Sequence, residues 1–128
     1  MTVITLKTLK ESYLKKEVVC LPITHLQKDC NPFVKCLDWQ CKISRDDVTK
    51  AIDNKAFIRR PVQRESVENH ASRIAWLVMH KDDNAVELAV GNPSFQWFVN
   101  DGNHRIAAAI YRGDDSIMAS ISVFETKK

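Results

Sequence analysis

Two hydrophobic segments of opposite period meet at Asp101-Gly102-Asn103-His104-Arg105, and that junction restricts the fold more than any other stretch. Ahead of it Phe95, Trp97 and Val99 alternate with Gln96 and Phe98, the pattern of a short strand apolar enough to be largely covered on both faces. Behind it Ile106 to Tyr111 is an alanine-rich run of high helix propensity that stops at Gly113, a residue suited to a helix C-terminus. A strand, a glycine turn and a helix opening on His104 and Arg105 would aim unpaired backbone N–H groups and two cationic donors at one point. That is the physics of an anion site, most often a phosphate.

The other segments are read around this junction. Residues 1–16 are expected to be a loosely attached helical arm with Leu6, Leu9, Tyr13 and Leu14 as a weak apolar stripe. Val18 to Ile23 is β-branched and apolar, a first strand ended by Pro22 and Thr24. His25 to Trp39 lacks periodicity and contains Asn31-Pro32, which reads as a loop with one helical turn. Ser44 is placed to cap a short helix through about Asn54, with Asp46 and Asp47 at the positive end of its dipole. Phe57 to Val62 is a connector or a short extended segment. Glu65 to His80 is the clearest helix, with Val67, Ala71, Ile74 and Val78 on one face, joined by His70 and Leu77.

Lys81-Asp82-Asp83-Asn84 reads as a turn, Ala85 to Val90 as a strand, and Gly91-Asn92-Pro93-Ser94 as a tight turn into a strand at Phe95 to Asn100. A helix from about His104 to Arg112, a turn at Gly113-Asp114-Asp115 and a final strand from Ser116 to Phe124 complete the chain. With 128 residues and no repeat or linker, the expectation is one α+β domain over residues 17–128 behind the arm.

No apolar run approaches the roughly 20 residues that cross a bilayer, and residues 1–16 are too polar for a secretory core, so a cytoplasmic protein without a membrane partner is expected. The net charge of +3 permits contact with nucleic acid without arguing for it. The local excesses at Lys7, Lys10, Lys15 and Lys16, and at Arg59, Arg60 and Arg64, read as solvated faces. Cys20, Cys30, Cys36 and Cys41 show no C-x-x-C pair and no histidine at zinc-finger spacing, which suits reduced structural thiols.

The strand ending in Asp101-Gly102, then Asn103-His104-Arg105 and an alanine-rich helix ending near Gly113, resembles the signature of the ParB/sulfiredoxin superfamily. Val18 to Leu26 with Asn31-Pro32-Phe33 resembles the first strand and NPF turn of ParB-type N-terminal domains. Glu65 to His80 and Ala85 to Val90 match the helix and strand that come before the signature, so the likeness covers roughly residues 17–124. The resemblance implies a ParB/sulfiredoxin-like fold whose signature turn binds the phosphates of ATP or another nucleotide. Gly102 would permit close approach, the amides of Asn103 and His104 would face the phosphate, and His104 and Arg105 would supply side-chain donors, the planar fork of Arg105 meeting phosphate oxygens in pairs. Asp101 becomes a candidate metal carboxylate or general base, holding Mg²⁺ or orienting a water. The nucleotide-contacting positions on the preceding helix fall on Asn69 and Arg73, with residue types that differ from the family's. Glu65 and Glu68 on that helix are candidates for a second acidic ligand.

Two departures narrow the implication. Sulfiredoxins carry their nucleophilic cysteine where this chain has Asn103, so sulfinic-acid reduction is not expected. ParB segregation proteins add a helix-turn-helix and a dimerisation domain, for which 128 residues leave no room, so partition-site recognition is not expected. What remains is a nucleotide- or nucleic-acid-phosphate-binding protein, with DNA among its partners, acting as a metal-assisted NTPase or nuclease through Asp101, His104 and Arg105. The alternative is a non-catalytic regulatory module of phage or plasmid type that binds DNA or a protein partner, and phosphoryl transfer to a small metabolite is a third reading. Plain structural roles stand beside these: Asp101 as a helix cap, Arg105 paired with Asp101 or Asp114, His70 as a satisfied core histidine, and Trp76, Trp97 and Phe98 as core or interface. Trp39 has no assignable place.

Overall fold

Among the described residues the period-two segments form four strands, β1 (Val19–Pro22), β2 (Val86–Asn92), β3 (Trp97–Asp101) and β4 (Ser116–Glu125), in one sheet of order β1-β4-β2-β3. The computed structural model describes residues 4–125 apart from 35, 37, 38, 40, 64, 82 and 83. β4 is central, antiparallel to β1 and parallel to β2, while β3 pairs antiparallel with β2 at the edge. The helices are α1 (Leu6–Leu14), α2 (Ile23–Gln27), α3 (Arg45–Asp53), α4 (Val67–Met79) and α5 (Asn103–Arg112). Together they make the expected α+β architecture. Arg64 of the basic cluster and Asp82-Asp83 of the turn after α4 lie outside the described residues.

Alternation decides which face of the sheet is covered. Val86, Leu88 and Val90 of β2 and Ala119 and Ile121 of β4 are buried, whereas Glu87, Met118, Ser120 and Phe124 are exposed. α4 packs against α5, whose segment Ile106–Ala107–Ala108–Ala109–Ile110 is buried throughout. On β3 only Trp97 is buried, and Phe98 is exposed with its ring 5.6 Å from Phe124 on the open face. The expectation that this strand is covered on both faces is therefore corrected, because it is an edge strand. Its edge is blunted at Trp97, whose N–H donates to Asp29 Oδ2 at 3.0 Å and whose carbonyl accepts from the Cys30 thiol at 3.3 Å.

Helix starts follow local chemistry. Ser44 caps α3 in a reciprocal box, its Oγ accepting from the Asp47 N–H at 3.1 Å while Asp47 Oδ2 accepts from the Ser44 N–H at 2.9 Å. Ser44→Ala is expected to lower stability by about 1 kcal/mol in urea unfolding, with no change in the far-ultraviolet spectrum of the folded protein. Ser66 caps α4, so that helix begins at Val67 and Glu65 precedes it. α2 begins at Ile23, before the segment read as loop, with Ile23 and Leu26 both buried. α1 forms within the expected arm, but Leu9 is 2% exposed in the core and α1 packs on β4, so the arm is docked rather than loose. β2 runs on through Asn92, which shifts the turn to Pro93-Ser94. Burial pushes the Cys30 thiol up to about 11, so it stays protonated.

Candidate functional site

One residue makes the turn from β3 to α5. Gly102 has φ 120°, and a Cβ there would lie 2.6 Å from Val86 Cγ1 and 2.8 Å from Val86 Cβ. Glycine is required at this position by backbone conformation and by close packing on β2. Gly102 is the N-cap of α5 and supplies no side-chain hydrogen bond, and the Ile106 N–H is bonded back to the Gly102 carbonyl at 2.9 Å. The first turn of α5 thus lacks a side-chain cap from its N-cap residue, at the positive end of the helix dipole.

That turn lines an open cleft of about 1110 Å³, bounded by Asn100 to Arg105 on one side and by Trp39, Val62, Glu65, Arg73 and Asn84 among others. The fold therefore brings Asp101, Gly102, Asn103, His104, Arg105 and Arg73 together. Asn69 is not in the lining; its amide donates to Glu65 Oε1 at 2.8 Å. Glu65 also receives both guanidinium nitrogens of Arg60 at 2.9 Å, and these bonds hold its carboxyl at about 2. Glu68 does not line the cleft. Asp101, with its side chain 66% exposed, stands at the mouth, and among the described residues no three His, Cys, Asp or Glu side chains converge as metal ligands.

Arg105 is 16% exposed and turned on its own chain: Nη1 donates to the carbonyls of Asn84 at 2.9 Å and Ala85 at 3.2 Å, and Nη2 to Asp101 Oδ2 at 3.1 Å. It ties the helix start to the entrance of β2. Asp101 accordingly pairs with Arg105 instead of capping α5, and Asp114 is taken by Arg112 at 2.7 Å. Arg73 donates to the carbonyls of Arg59 and Ile58. Trp76 is half-buried beneath the Arg59 guanidinium and against His80, whereas Trp97 is core.

The part of the site that sequence reasoning missed is a stack of three rings. Trp39 lies 4.9 Å from His70 and 4.6 Å from His104, and the two imidazoles are joined by a 2.9 Å hydrogen bond between His70 Nδ1 and His104 Nε2. His70 is fully buried, and burial lowers its pKa. Burial first, then the proximity of His70 and Arg73, pushes His104 down to about 3. His104 is therefore a neutral donor at pH 7 and not the cationic one expected from the sequence. Its signal was half present: His70 faced the apolar stripe of α4, but nothing local announced that its partner lay on α5 or that Trp39 covered both.

No family model, curated protein or solved structure matches the chain. Among the described residues no helix is long and apolar enough to cross a membrane.

Proposed function

We propose that this chain binds phosphate groups, of ATP or another nucleotide or of nucleic acid, in the cleft at the start of α5, as a ParB/sulfiredoxin-like protein. The observation that carries this reading is the glycine N-cap at the first turn of α5, which supplies no side-chain cap, opening into a cleft that also presents His104, Arg73 and Arg105. A phosphate seated there meets the positive end of the helix dipole and backbone amides, with cationic side chains behind them. The reading extends to metal-assisted hydrolysis, as an NTPase or nuclease. Asp101 is the exposed carboxylate at the mouth that would hold Mg²⁺ or orient a water, and His104 and Arg105 would stabilise developing charge.

A thermal-shift panel of ATP, ADP, CTP, GTP and a short DNA strand, each with and without Mg²⁺, tests binding. A true ligand stabilises by about 2.7 kcal/mol at a hundred-fold excess over Kd, and no shift with any of them removes the proposal. Asp101→Asn is expected to keep the shift and lose turnover.

One observation favours the second reading, a non-catalytic regulatory module whose partner is DNA or a protein. Arg105 already spends its fork on two carbonyls and Asp101, which leaves it a positioning element more than a catalytic finger. A shift without any hydrolysis by the parent protein selects this reading.

A further inference from the structure

We propose that His70 is a positioning residue: its hydrogen bond holds His104 as the neutral tautomer protonated at Nδ1, so that His104 meets a ligand as an uncharged donor. The ligand part of this inference rests on the phosphate reading of the cleft; the tautomer part stands without it.

Which atoms can donate fixes both tautomers. The backbone N–H of Glu65 is a donor only, and it is directed at His70 Nε2 at 3.4 Å. His70 Nε2 must then be the acceptor and carry no proton. A neutral His70 consequently bears its proton on Nδ1, and that N–H donates across 2.9 Å to His104 Nε2. His104 Nε2 is thereby committed as an acceptor, which puts the His104 proton on Nδ1. The alternatives fail locally. If His104 Nε2 carried the proton, His70 would accept at both nitrogens and bear no proton at all. If His70 were cationic, its Nε2–H would oppose the Glu65 N–H.

The surroundings keep this arrangement uncharged. Trp39, 4% exposed, stacks against both imidazoles and shields them from water. Arg73 on α4 opposes a charge on His104, while Glu65 ahead of α4 favours one but is already paired with Arg60. On either side of the turn, Asp101 and Arg105 are paired with each other. The nitrogen that His104 has left to offer to the cleft is Nδ1–H, which calls for an acceptor atom on the ligand, such as a phosphoryl oxygen. A neutral donor keeps its hydrogen bond across the physiological pH range, whereas an ordinary histidine would change charge there.

The test is ¹H–¹⁵N spectroscopy of the imidazoles in the full chain, combined with ATP titrations at pH 6 and pH 8. His104 in the parent is expected to show a protonated Nδ1 and a bare Nε2, unchanged between these pH values. His70→Phe preserves a ring under Trp39 but removes the donor, so His104 should stay neutral at both pH values yet populate both tautomers, with an Nε2–H signal appearing, and ATP affinity should fall about two- to threefold at pH 6 and pH 8 alike because only part of the population presents Nδ1–H to the ligand. His70→Gln, whose amide can donate in place of Nδ1–H, should restore the single Nδ1–H tautomer of His104, and it decides the question if His70→Phe does not fold. A parent His104 protonated at Nε2, or titrating between pH 6 and 8, overturns the inference. Absence of ATP binding alone, with the expected tautomer present, overturns the role of His104 toward ATP, but leaves the positioning of His104 established.

Discussion

Gly102→Ala should destabilise the protein by about 3–5 kcal/mol, a sum of left-handed backbone strain and overpacking. Urea unfolding with an unchanged m-value is the measurement. The two causes can be separated, because the new methyl would sit 2.6 Å from Val86 Cγ1 while φ stays at 120° whatever its neighbours do. Val86→Ala alone should cost about 2 kcal/mol through the cavity it leaves. In the double variant the losses should fall short of additive by about 1–3 kcal/mol, since the shortened side chain makes room for the methyl. Purely additive losses would show that the steric contact is not what forbids a side chain. A Gly102→Ala protein as stable as the parent would sink the account of the turn altogether.

Arg105→Ala should lower stability by about 2 kcal/mol and weaken the proposed nucleotide binding at least tenfold, because the same guanidinium ties Asn84 and Ala85 to α5 and lines the cleft. Arg105→Lys separates the two roles. A lysine keeps the positive charge but not the planar fork that reaches two carbonyls and a carboxylate together. If the charge toward the ligand matters most, Lys should retain most of the affinity while losing stability. If the clamp positions the turn, both should fall together. Parent-like stability and parent-like affinity in Arg105→Ala would remove Arg105 from both roles.

The features legible in the sequence were those whose causes lie within a few residues. Ser44 and Asp47 cap their helix by a contact spanning three positions, and Gly113 ends α5 where the sequence places its stop, in a left-handed conformation. The change of period at Asp101-Gly102 marked the strand–turn–helix junction, which the structure places at a cleft. What escaped was non-local. Whether Phe98 is covered depends on the order of strands in the sheet, which its own alternation cannot report. The docking of Leu9 depends on β4, at the far end of the sequence. Arg105 finds its carbonyls some twenty residues earlier in the chain, and His104 finds His70 across 34 positions. The charge of His104 was misjudged for the same reason, since burial beneath Trp39 is a tertiary fact.

The position of β4 also has a bearing on how the chain must be made. Val19 of β1 pairs with Ala119, and Val86 of β2 pairs with that same residue from the other side, so the two earlier strands have no common partner until the last one exists. During synthesis at roughly 5–20 residues per second, β1 waits several seconds with its hydrogen-bonding edge open. Only local pieces, such as the capped α3 and the β2–β3 hairpin, can form meanwhile. Assembly of the sheet is then a late, long-range event, which places folding of this small protein on the slower, milliseconds-to-seconds side of what its size allows.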